Sequence, residues 1–120
     1  MLHCHGRLND ITDGIAELAP AALEPLEVLP ASTADISMAE LKRRLGRRTC
    51  LMGGVQAAEL EGLTPERLDA RLQEVIEAGA PGGGFVLLPT SAPIEHPLSR
   101  RVLENYRVYF RAAAKYGGYG

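Results

Sequence analysis

The chain has no apolar run approaching the roughly 18 residues that cross a bilayer, so no spanning helix is expected. It has no basic excess either. Its 13 Lys and Arg stand against 15 Asp and Glu, and the two signs are intermixed. Without a basic stripe, nucleic acid is not an expected partner. The opening residues lack a basic region followed by an apolar stretch, so no secretory leader is expected. Cysteine is scarce. Cys4 and Cys50 lie far apart and form no two-cysteine zinc pair, which fits a reducing cytoplasm. What is present, 46% hydrophobic and 23% charged over 120 residues, describes one small globular domain or a piece of a larger one.

Four short apolar runs alternate with helical patterns. Met1–His5 is closed by Gly6. Asn9 or Asp10 then caps a helix through Leu18, with Ile11, Ile15 and Leu18 at helical spacing and Pro20 ending it. Ala21–Leu26 is a second strand in which Pro25 removes a backbone donor. After a loop at 28–36, Ser37 and Glu40 have capping-box spacing, Leu41 and Leu45 share a face, and Gly46 stops the helix. Thr49–Met52 is a third strand, closed by Gly53-Gly54. A short helical piece at Ala57–Glu61 precedes a strong helix capped by Thr64, with Pro65 in its first turn and Leu68, Leu72, Val75 and Ile76 as its buried stripe. Gly79 ends it.

Phe85–Leu88, a continuous apolar run between turn residues, predicts a strand covered on both faces. A loop at Pro89–Pro93 leads to a last helix from Leu98 or Ser99 to about Lys115, with Val102, Tyr106, Tyr109, Phe110 and Ala113 on or near one face. Four βα units call for parallel strands joined by right-handed crossovers. Such a set forms either a small open sheet or half of an eight-stranded barrel.

The stretch His3-Cys4-His5-Gly6 concentrates the chemistry. On a strand, the period of two sends His3 and His5 to one face and Cys4 to the other, where it packs as a small hydrophobe. Two imidazoles on one face make half of a metal or acid/base site, or else two solvated histidines near a terminus.

Together the runs HCHGRLNDITDGIAELAPAALEPLE, ISMAELKRRLGRRTCLMGGVQ and LTPERLDARLQEVIEAGAPGGGFVLLPTSAP resemble the C-terminal part of the uroporphyrinogen decarboxylase superfamily. That superfamily includes heme-pathway decarboxylases and corrinoid and coenzyme-M methyltransferases. The likeness spans residues 2–115 and rests on four motifs in order: the H-x-[HC]-G strand end, a strand followed by MGGVQ, the T-P-E helix start, and G-G-G-F before a strand. It implies an α/β fold in which the four βα units are the C-terminal half of a (β/α)₈ TIM-type barrel. Residues 1–116 would be the partial domain and 117–120 a flexible tail. The other half would come from a lost segment, a partner half-barrel or a second copy.

In the methyltransferase branch, a His-x-Cys strand end and a later Cys bind zinc that activates a thiol. Here His3 matches, His5 replaces the Cys, and the later position falls near Ser91. The resemblance therefore leaves a divalent ion, zinc foremost, on His3, His5 and Glu24 or Glu27, with a corrinoid carried by a partner protein. In the decarboxylase branch a Gly-His-Gly follows the last strand and no cofactor is needed; here that stretch reads Thr90-Ser91-Ala92.

Barrel chemistry sits at the carboxyl ends of strands. That rule selects His3, His5, Gly6, Glu24, Glu27, Gly53, Gln56, Thr90, Ser91 and His96. Within it, His5, Glu24 and Ser91 are the catalytic candidates, and Gln56 and Thr90 would hold a small-molecule substrate. Glu24 precedes Pro25 within an apolar run, where a carboxylate is costly unless paired or ligating. Glu27 reads as solvated, and Gly53 and Gly54 as a turn with positive φ. His96, in a Pro-flanked loop, reads as solvent-exposed. Arg43, Arg44, Arg47 and Arg48 surround a helix C-terminus, where cations suit the macrodipole. Gly82-Gly83-Gly84 precedes a strand and so is not a phosphate loop. The remaining possibility is a half-barrel that oligomerises and has no catalysis of its own.

Overall fold

A computed structural model describes residues 1–93 and 95–118 of the chain. It is an α/β domain with one four-stranded parallel sheet in the sequential order β1-β2-β3-β4. The elements are β1 (Leu2–His3), α1 (Thr12–Leu18), β2 (Ala22–Leu26), α2 (Met38–Leu45), β3 (Cys50–Val55), α3 (Ala57–Gly62), α4 (Pro65–Gly79), β4 (Phe85–Pro89) and α5 (Arg100–Tyr116). Of the tail expected at 117–120, Tyr119 and Gly120 lie outside the described residues. Among the described residues, no helix is long and apolar enough to cross a membrane.

Register explains the core. Leu2 pairs with Leu23, Leu23 with Leu51, and Leu51 with Phe85, making one apolar row across the sheet. That row packs against Ile15 of α1, Leu41 and Leu45 of α2, and Val75 and Ile76 of α4. The next row, His3, Glu24, Met52 and Val86, points to the opposite face by strand alternation. Val86 on that face is 39% exposed. β4 is thus an edge strand with one face open, not the doubly covered strand its composition predicts. An unbroken apolar run shows that both faces avoid charge, but not what covers each.

Side-chain caps fall where expected on three helices. Ser37, Thr64 and Ser99 each accept a hydrogen bond from the backbone N–H three residues on. The first helix differs. Neither Asn9 nor Asp10 caps it; the Asp35 carboxylate accepts from the N–H groups of Leu8 and Asn9 at 3.0 and 3.1 Å. The buried stripe is Leu8, Thr12 and Ile15, while Ile11 and Leu18 are 47% and 75% exposed. α5 shows a similar shift. Its buried positions are Val102, Asn105, Val108, Tyr109 and Ala112, and Phe110 is outside. Burial pushes the Tyr109 phenol up to about 12, with Tyr106 adding to it, and its hydroxyl donates to the Leu87 carbonyl at 2.8 Å.

Gly53 and Gly54 do not end β3; they are within it, at φ +148 and +100. β2 spends three residues, Leu23 to Leu26, where β3 spends two, Leu51 to Gly53. This is a β-bulge carrying Pro25, a residue that could not join the ladder. A Cβ on Gly53 would overlap the Leu26 backbone, and one on Gly54 would come within 2.5 Å of Val75 Cγ1. Only glycine lets the two strands approach here.

Candidate functional site at the strand ends

The bulge builds the site. In an unbroken strand Glu24 and Glu27 would face opposite ways. With one residue inserted between the paired positions Leu23 and Leu26, both carboxylates turn to the open face that holds His3 and His5. His3 Nδ1 lies 3.2 Å from Glu24 Oε1, and His5 Nδ1 lies 2.9 Å from Glu27 Oε1. The two imidazoles meet edge to face with centroids 4.9 Å apart. Cys4 points the other way and packs against the core.

A carboxylate only accepts, so a hydrogen-bonded Nδ1 must carry the proton. In the neutral ring Nε2 is then the lone-pair nitrogen. Among the described residues no hydrogen bond engages either Nε2. His3 is the more open pair, and Glu27 is the more enclosed carboxylate.

Glu27, read from sequence as solvated, is instead the hub. It is 8% exposed and accepts from His5 Nδ1, from the Gly6 N–H at 3.3 Å, from the Thr33 hydroxyl and from Gln56 Nε2 at 3.1 Å. Burial opposes its ionisation, but the hydrogen bonds from Thr33, His5 and Gly6 outweigh it and hold its pKa below the usual 4.5. Gln56 also donates to Thr33 Oγ1 at 2.6 Å and begins α3 with a capping box, its backbone N–H bonded to Glu59 at 2.7 Å.

Arg71 extends the network inward. It is 8% exposed, meets Glu59 at 2.9 Å, and donates to the carbonyls of Leu29 and Gly54 at 3.1 and 3.3 Å. It thereby ties the loop after β2 and the glycine pair of β3 to α4. Its guanidinium is matched by a carboxylate and carbonyls, as a buried charge requires.

The other expected residues are elsewhere. Thr90 accepts from the Ala57 N–H at 3.4 Å and so fixes the start of α3. Ser91 and His96 are exposed and join neither histidine pair. Arg43 and Arg44 are held by Glu40 and Asp13, in keeping with a structural role. The sequence alone points to Glu27 as a strand-end residue but not to its burial, and gives no sign of Thr33, Glu59 or Arg71. A signal for Glu27 existed: Pro25 beside two strand-end carboxylates, with a glycine pair on the next strand to receive a bulge.

No protein-family model matches the chain, and no curated protein matches it.

As a metal site, the set is incomplete among the described residues. Among the described residues no three His, Cys, Asp or Glu side chains converge on one point. The carboxylates occupy the Nδ1 sides, an arrangement that orients a histidine for a ligand on Nε2. Glu24, on the Nδ1 side of His3, is placed to orient that ring.

Proposed function

We propose that the chain is the C-terminal half of a (β/α)₈ barrel of the uroporphyrinogen decarboxylase kind, and that in the complete barrel it serves metal-assisted, corrinoid-linked methyl transfer. One observation supports this reading above the rest. His3 and His5 stand at the carboxyl ends of the sheet, on its open face, each held through Nδ1 with Nε2 left for a ligand. The sheet's sequential parallel order with the core on one face supports the reading, because consecutive barrel units are ordered that way.

A divalent ion, zinc by donor type, would be held by the two Nε2 atoms, with further ligands from the other half of the barrel. When bound it supplies Lewis acidity to a thiol or substrate oxygen. Glu24 and Glu27 fix the two rings, and Thr33 and Gln56 fix Glu27. Ser91, standing where the methyltransferase branch has a cysteine, supplies no thiolate, so the donor set differs from that branch. Tetrapyrrole decarboxylation, needing no metal, is the second reaction open to the same site; there His5 with Glu27 is a proton donor at the mouth. A half-barrel that assembles without catalysis is the non-enzymatic reading, favoured by the exposed apolar residues Ile11, in the turn before α1, Leu18 on α1, and Leu103 and Phe110 on α5.

Calorimetric titration of the full chain with zinc tests the proposal. Wild type is expected to bind, and the His3→Ala/His5→Ala variant to bind at least tenfold more weakly. Unchanged affinity in the double variant, or no binding by the wild type, overturns the metal reading.

A further inference from the structure

The two terminal helices of the sheet each carry an apolar stripe on the flank turned away from the rest of the molecule. On the α1 side, Asp13 pairs with Arg44 of α2 at 2.7 Å, which sets the flank facing α2. At about 100° per residue, Ile11 and Leu18 fall on the other flank. On α5, Val108 packs with Leu68 and Leu72 of α4, and Tyr116 donates to Asp69 of α4 at 2.8 Å. Leu103 and Phe110, 46% and 66% exposed, fall on the flank away from α4. Interior helices of the same sheet have neighbours on those flanks.

The stripes complement one another. Both repeat at seven residues, Ile11 with Leu18 and Leu103 with Phe110. Between Ile11 and Leu18 lies Gly14, where a Cβ would meet nothing within 4 Å, an open notch. Phe110 is a ring-sized knob. The outer rims are opposite in sign and equal in spacing: Asp10 and Glu17 border the α1 stripe, Arg100 and Arg107 the α5 stripe, and all four are exposed.

We infer that a second copy of this chain is the occupant of both flanks, with α1 of each copy docked on α5 of the other. A two-fold axis makes this contact twice from one pair of surfaces. It sets β4 of one copy beside β1 of its partner, and so closes eight strands around the face that carries Val86 and the histidine pairs. Oppositely charged rims select this pairing over α1 on α1 or α5 on α5, where like charges would face. The inference rests on the half-barrel reading, and names the missing half.

Light scattering on the full chain at micromolar concentration is expected to give twice the 12.9 kDa chain mass. Phe110→Glu should weaken the dimer by at least about 30-fold, the effect of losing a central aromatic anchor. Should that variant misfold, surface reversals keep the test alive. Asp10→Arg/Glu17→Arg and Arg100→Glu/Arg107→Glu should each be monomeric alone, and mixing the two should restore a heterodimer with both contacts attractive. A wild-type monomer, including one that takes up a different protein instead, overturns the inference. So does a dimer indifferent to these reversals. Mass and zinc affinity are read on the same samples: a monomer that still binds zinc through the two imidazoles fails only the docking, and a dimer whose zinc affinity is unmoved by His3→Ala/His5→Ala fails only the proposed site.

Discussion

Replacing Glu27 separates its charge from its shape. The carboxylate receives four donors, of which the Gly6 N–H cannot reverse its role, whereas the Thr33 hydroxyl can turn to donate elsewhere and accept. Glu27→Gln is therefore expected to keep its amide oxygen toward Gly6 and His5 and its NH₂ toward Thr33. The remaining conflict is with Gln56 Nε2, which an amide flip relieves at the expense of the bond its side chain accepts from the Glu59 N–H. The expected loss is about 1 kcal/mol, one charge-assisted bond reduced to a neutral one. Glu27→Ala strands several donors in a buried place and should cost about 3 kcal/mol.

The acid limb gives the second readout. A carboxylate whose folded pKa lies below 4.5 stabilises the fold fully above 4.5, and that contribution is lost as pH falls through the lower folded value. Wild type should thus lose stability below 4.5 in part through Glu27, and both variants should lack that part of the slope. Urea unfolding at neutral pH and between about pH 5 and pH 3 measures both effects. A Gln variant as unstable as the Ala variant, or an acid limb unchanged in both, would refute the reasoning.

Gly53→Ala should cost about 2–5 kcal/mol, combining a positive φ with overlap on the Leu26 backbone, and should collapse the bulge that aligns Glu24 with Glu27; chemical denaturation checks the first and loss of zinc affinity the second. Arg71→Met should cost about 3–5 kcal/mol, because Glu59 and two carbonyls lose their partner; thermal and urea unfolding read it. Asp35→Ala should cost about 1 kcal/mol and raise hydrogen exchange at Leu8 and Asn9, the two N–H groups it caps.

The order of the elements was legible because local chemistry marks it. Ser37, Thr64 and Ser99 sit at caps, and the stripe Leu68, Leu72, Val75 and Ile76 has a helical period. The shared face of His3 and His5 followed from alternation alone. What escaped depends on contacts distant in sequence. The Asp35 cap acts on a turn more than twenty residues earlier. Arg71 looks like any solvated helix arginine until Leu29 and Gly54 are placed beside it. The burial of Glu27 escaped because the one-residue register shift at Pro25, which turns it to the same side as Glu24, is set by pairing with β3. Continuous apolar composition misled for β4, since its open face is apolar without being covered by this chain.

His3 and His5 are held through Nδ1, which leaves both Nε2 atoms without a hydrogen bond among the described residues. Long-range ¹H–¹⁵N spectroscopy of the imidazoles at neutral pH tests it directly. The account predicts the Nδ1–H tautomer at both positions, with zinc shifting the two Nε2 resonances. Nε2–H tautomers, or two rings averaging as free histidine does, would contradict it.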